Sequence, residues 1–190
     1  MKPRKVKGLD PGGEFAWNAR RMLAVRLDEL WGFAEEARRR DAAEAQHDMR
    51  VAAKRVRYVL EVTRPCFGKG AAEGIAAMRE LQDLLGELHD CDVLLAAASS
   101  HVERLLEEDA TFLAGQVPAG TDLDPSTISR APNRERYAGL EALAIQIRAR
   151  RGLLHARFVE TLDRLDEERF PALMEALTAD PHFPAPAPAS

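Results

Sequence analysis

Apolar residues recur at spacings of three and four through most of this chain, and that period admits helices and little else. Leu23, Leu27, Leu30, Ala34 and Ala37 predict a first long helix over about 14–39. Met49, Ala52, Ala53, Val56, Val59 and Leu60 predict a second over about 42–64. It must end near Pro65, whose ring removes a donor and clashes with the preceding turn. A third, over about 71–89, buries Met78, Leu81, Leu84, Leu85 and Leu88 and has Gly86 where a neighbouring backbone can come close. Leu88-His89-Asp90-Cys91-Asp92-Val93 is expected to bend or interrupt it before a fourth segment over about 91–109, carrying Val93, Leu94, Ala97, Val102, Leu105 and Leu106. The last strong element spans about 134–168, through Leu140, Leu143, Ile147, Leu154, Phe158, Leu162 and Leu165, and Pro171 stops it or starts a short helix to about 178. Aromatics are only 6% of the chain, and Ala, Leu, Glu and Arg dominate, which suits helices rather than a sheet. The expected fold is all-α, a compact bundle of long antiparallel helices.

With 190 residues, 46% of them hydrophobic, the chain has material for one sizeable core. Residues 1–9 read as a flexible basic arm, and Asp10 followed by Pro11 as a cap and first helical turn. One helical domain is expected over 10–180. Within it, 113–133, with Gly115, Pro118, Gly120, Pro125 and Pro132, reads as a linker, and the Pro/Ala-rich stretch 181–190 as a disordered tail. Cys66 and Cys91 have neither Cys-x-x-Cys nor metal-ligand spacing, so reduced thiols and a cytoplasmic setting are expected. No secretory leader is read at the amino terminus and no 18-residue apolar stretch is available to span a membrane.

The formal net charge is −4, yet the charges are segregated. Arg50, Lys54, Arg55, Arg57 and Arg64 stand against Asp48 and Glu61 in 47–64, whereas Glu103, Glu107, Glu108 and Asp109 stand against Arg104 alone in 103–109. Such a chain can hold an anion on one face and keep the average negative. At about 100° per residue, His47, Arg50, Lys54 and Arg57 fall within an arc of roughly 80° on one side of the second helix, with its apolar row opposite. Arginine presents a planar fork to phosphate oxygens, lysine a compact charge, and a protonated histidine two donors, so the stripe suits a polyanion. Arg148, Arg151 and His155 repeat the theme on the last helix. Arg20 and Arg26 flank the apolar stripe of the first, where long stems lie on the core and the charged heads reach solvent.

Other chemistries find less support. Glu44-x-x-His47 is one half of the pattern for a carboxylate-bridged metal pair, but no second Glu-x-x-His exists. There is no Gly-x-Ser-x-Gly elbow and no phosphate-cradling Gly-x-x-x-x-Gly-Lys-Ser/Thr loop. With no catalytic motif, a non-enzyme with no cofactor and no metal is expected. Two Trp and two Tyr are too few for the stacking platforms of single-strand binders, and no helix-turn-helix is recognisable, so nucleic acid is set aside as the main partner.

The run His47-Asp48-Met49-Arg50-Val51-Ala52-Ala53-Lys54-Arg55-Val56-Arg57-Tyr58, followed by Leu81-Gln82-Asp83-Leu84-Leu85-Gly86-Glu87-Leu88-His89-Asp90-Cys91-Asp92-Val93-Leu94, resembles the conserved histidine α-helical domain, or CHAD domain. The resemblance covers most of 14–109 and more weakly 134–170. It implies two related helical halves, here about 10–112 and 134–178, and a basic groove that binds inorganic polyphosphate, with association to polyphosphate granules and to polyphosphate-metabolising enzymes. Carried over by position, it places His47, Arg50, Lys54, Arg55 and Arg57 at the basic surface. It adds Arg79 and His89, and makes Asp90 and Asp92 structural acids that orient arginines. The expected function is therefore non-catalytic polyphosphate binding. The alternatives are a polyphosphate or nucleotide phosphohydrolase, or a subunit of one, using Asp83, Glu87 and Asp90, and a helical nucleic-acid binder.

Overall fold

The structure is a computed structural model that describes residues 2–118 and 120–166, and it is all-α, with no strand among those residues. The helices are α1 (Phe15–Trp31), α2 (Ala34–Ala37), α3 (Ala43–Val62), α4 (Arg64–Ala114) and α5 (Arg134–Arg164), with a short 3-10 helix over Pro125–Arg130. The described residues divide into two compact units: 2–89 together with 154–166, and those of 90–153. The short helix expected to about 178 and the tail expected over 181–190 lie outside the described residues.

In the first unit, α3 packs against both α1 and α2. Ala19, Leu23, Leu27 and Leu30 of α1 and Met49, Ala52, Ala53, Val56 and Leu60 of α3 are at most 1% exposed. Residues three and four apart meet on one helix side, so these rows close on each other and exclude water. Each fully buried Leu or Met there contributes about 1.5–3 kcal/mol relative to exposure. Leu81, Leu84, Leu85 and Leu88 of α4 and Phe158 and Leu162 of α5 complete this core. Ion pairs tie the α5 segment to the unit, from Arg38 to Asp163 at 2.9 Å and from Arg164 to Glu80 at 2.5 Å.

Several boundaries differ from the periodic pattern, each for a local reason. Asp10 does not cap a helix: its carboxylate accepts from the Gly12 amide at 3.0 Å in a turn, and α1 starts four residues after Pro11. The first helix does not reach 39. It ends at Trp31, the Phe33 amide bonds back to Leu30 in a tight turn, and Gly32 there weakens helical propagation. Buried Gln46 then donates to the carbonyls of Ala37 at 3.1 Å and Arg39 at 2.9 Å, satisfying chain that α2 leaves open. Pro65 sits in the first turn of α4, where its missing N–H costs nothing, and α3 has already stopped at Val62. The break in α4 is at Gly68, whose φ of 56° favours glycine. No bend occurs at 88–93: α4 continues there, with Leu88 and Cys91, three apart and both buried, on one face.

The second unit comprises the distal half of α4, the connection 115–133 and the first part of α5. Its core holds Cys91, Ala98, Leu105, Leu113, Ala131 and Ile147. Asp109, 4% exposed, anchors the connection: it accepts from the Asn133 amide at 3.2 Å, from Asn133 Nδ2 at 2.8 Å and from the Tyr137 hydroxyl. Two helices cannot cover every apolar position, and Val93, Leu94, Leu106, Leu143, Ile145 and Leu153 are exposed.

Candidate functional site

The cationic stripe follows from the way α3 is buried. Once its apolar row faces α1, the opposite arc faces away from α1, and it carries exposed His47 and Lys54 and half-buried Arg50 and Arg57. The stripe runs from His47 to Arg57, ten rises of 1.5 Å or about 15 Å of helix.

α4 adds to it from across the unit. The rings of His47 and His89 lie 5.3 Å apart, tilted by 50°. One turn before His89, Gly86 leaves a shelf for the Arg50 side chain: a Cβ at Gly86 would stand 3.4 Å from Arg50 Nε. The close approach expected at this glycine is thus made by a guanidinium and not by a backbone. Arg50 Nε is buried without a hydrogen-bond partner, and neither Arg50 nor Lys54 makes an ion pair among the described residues. Tyr58 takes both of the last two cations over its ring, with Lys54 Nζ 5.7 Å and Arg57 Cζ 5.2 Å from the ring centre. The ring attracts both without neutralising either.

Most of the remaining candidates are engaged elsewhere, and Arg57 of the stripe has an acid nearby. Arg26 and Arg55 both grip Glu29, which is 2% exposed, at 2.6 and 2.7 Å. They therefore neutralise a buried carboxylate on α1. Arg57 Nε is 3.9 Å from Glu61, and Arg79 reaches the same carboxylate at 3.3 Å. Arg20 is half-buried on α1, and the His155 ring leans on Phe158 with centres 6.1 Å apart. Arg151, in the second unit, clasps Asp92 through Nε at 2.5 Å and Nη2 at 3.1 Å, so Asp92 does orient an arginine. Arg148 of that unit is exposed.

Sequence reasoning missed Glu29, Tyr58 and the Gly86 shelf. Glu29 had one signal, its position three residues after Arg26 beside the apolar Leu27 and Leu30. Tyr58 closes the basic run and was legible as the only aromatic in it.

Asp83 and Glu87 line a cleft of about 420 Å3 with Glu80, Glu160, Arg157 and Arg164. On α4 Asp83 and Glu87 lie roughly 60° and 100° around the axis from Gly86, and roughly 120° and 160° from His89. Among the described residues no group of three His, Cys, Asp or Glu side chains is placed to hold a metal ion, Glu44 and His47 included. No helix among them is long and apolar enough to cross a membrane.

Comparison with family models matches residues 9–99 to the CHAD domain. Two curated relatives, Uncharacterized protein Rv2226 of Mycobacterium tuberculosis strain H37Rv and Uncharacterized protein MT2285 of strain CDC 1551, are each 30% identical over 141 residues, covering 74% of this chain. The chain spans 24% of the length of each. No solved structure matches.

Proposed function

On the premise of the match of residues 9–99 to the CHAD domain, we propose that this chain binds inorganic polyphosphate without transforming it. The observation that supports the reading is the face formed by His47, Arg50, Lys54, Arg57 and His89, on which Arg50 and Lys54 have no carboxylate partner among the described residues. A buried guanidinium nitrogen without an acceptor is a donor waiting for one, and a phosphate oxygen supplies it. Polyphosphate presents about one charge per residue along a flexible chain, which a row of cations can follow as basic grooves follow a nucleic-acid backbone. Asp83 and Glu87 line a separate cleft with Arg157 and Arg164 at its rim, which favours binding over hydrolysis. Residence in the cytoplasm or at polyphosphate granules, alongside polyphosphate-metabolising enzymes, belongs to the same proposal.

The test is competition between long-chain polyphosphate and DNA at equal phosphate concentration, read by displacement of a labelled polyphosphate. Polyphosphate should win, and affinity should fall steeply with salt. Arg50→Glu with Lys54→Glu should abolish binding while helicity by circular dichroism is kept. Tighter binding of DNA would make the chain a nucleic-acid binder. Magnesium-dependent phosphate release that survives purification would make it a hydrolase.

A further inference from the structure

The second unit has a surface that its own fold leaves open. Ala98, Val102, Leu140, Ala144 and Ile145 line a groove of about 430 Å3 between α4 and α5, rimmed by Glu103, Glu141 and Arg148. Ile145 stands at its edge with 66% of its area exposed. The three rim charges make no ion pair or side-chain hydrogen bond among the described residues. A large aliphatic side chain held in water beside an apolar groove marks a contact surface, and the unpaired charges define what it contacts.

Two of those charges, Glu141 and Arg148, have a pattern that a second copy of this chain matches by construction. Glu141 and Arg148 are seven residues apart, about 20° from each other around α5, and the midpoint between them falls at Ala144 and Ile145. A two-fold axis through that midpoint lays α5 antiparallel on a copy of itself. Glu141 then meets Arg148 of the copy, Arg148 meets Glu141, and each Ile145 comes over the small Ala144 of the other chain. A two-fold contact is self-complementary in this way because every pair occurs twice. We propose that this chain forms a homodimer through the α5 face centred on Ala144 and Ile145, with two symmetric Glu141–Arg148 ion pairs flanking an apolar centre. Pairs on an exposed rim contribute modestly and set register, while the desolvated isoleucines supply the apolar term.

Sedimentation of the full chain across a concentration series tests this. Wild type should shift reversibly from monomer to dimer. Ile145→Asp should be monomeric over the same range, with unchanged helicity and unchanged polyphosphate affinity, since the cationic face of α3 is in the other unit. Arg148→Glu should weaken the dimer roughly tenfold or more, because each lost pair becomes a repulsion. Combining it with Glu141→Arg should restore the dimer, because reversed charges meet again under the same symmetry. A wild type that stays monomeric throughout overturns the proposal. So does a dimer indifferent to Ile145→Asp, or one that the double charge swap fails to rescue after the single variant has broken it.

Discussion

Single residues in this protein show how a cationic surface is kept apart from the cations that hold the fold. Glu29 is buried and receives Arg26 and Arg55, so three charges share one desolvated position. Removing the carboxylate charge strands two guanidinium groups, and breaking a buried ion pair typically costs 3–5 kcal/mol. Glu29→Gln should therefore lower unfolding stability by about 3 kcal/mol in urea titrations. A loss indistinguishable from that of an exposed Glu→Gln control would show that Glu29 is solvated. Asp109 plays the corresponding part in the second unit. Its neighbour Tyr137 has a phenol pushed up to about 12 by burial and by the hydrogen bond to Asp109. A group raised in the folded state adds stability that is complete below its unfolded value near 10 and is lost as pH climbs through the folded one. Stability should thus fall between about pH 10 and 12 more steeply in wild type than in Tyr137→Phe, measured by denaturant titration at each pH. Parallel curves for the two proteins would remove Tyr137 from the account.

At the scale of elements, the packing rows were plain in the sequence because a buried helix face repeats at three and four. Leu23, Leu27 and Leu30, Met49 and Val56, and Leu81, Leu84, Leu85 and Leu88 all lie in the core as their spacing predicts. Helix ends were less plain, since they depend on single turns that compete with propensity. Pro65 marks a boundary from either side, as a stop or as a first-turn residue, and periodicity does not distinguish the two. The run through 88–93 looked polar enough to bend, yet α4 stays helical through it, and Leu88 and Cys91 are both buried. Gly86 is the clearest case of a residue whose role depended on a partner from another helix. Alanine there places its Cβ in ordinary contact with Arg50, so Gly86→Ala should raise stability by up to about 1 kcal/mol through helix propensity and leave polyphosphate affinity nearly unchanged. Gly86→Leu fills the shelf and displaces the guanidinium, and affinity should drop severalfold while α4 stays helical. Equal affinities for the three proteins would mean that the position of Arg50 on that shelf is irrelevant to binding.

Across the whole molecule, a net charge of −4 coexists with a face of five cationic or protonatable side chains because the acids are placed elsewhere in the fold. The stripe itself was legible, since four of those residues share one helix face. Which arginines are spoken for was not, because Glu29, Asp92 and Glu61 reach them from distant positions in the chain or from other turns. The separation makes a molecular-scale prediction. A ligand that binds the folded state alone stabilises it by about 2.7 kcal/mol at one hundred times its dissociation constant. If polyphosphate sits on the α3 face, saturation should slow hydrogen exchange of the amides of α3 and of the α4 turns around Gly86, which belong to the first unit. Amides of 134–153, in the second unit, should exchange at nearly their free rates. Protection centred on Arg148 and Arg151 would move the binding surface to α5, and uniform protection of both units would replace a local site with a global one.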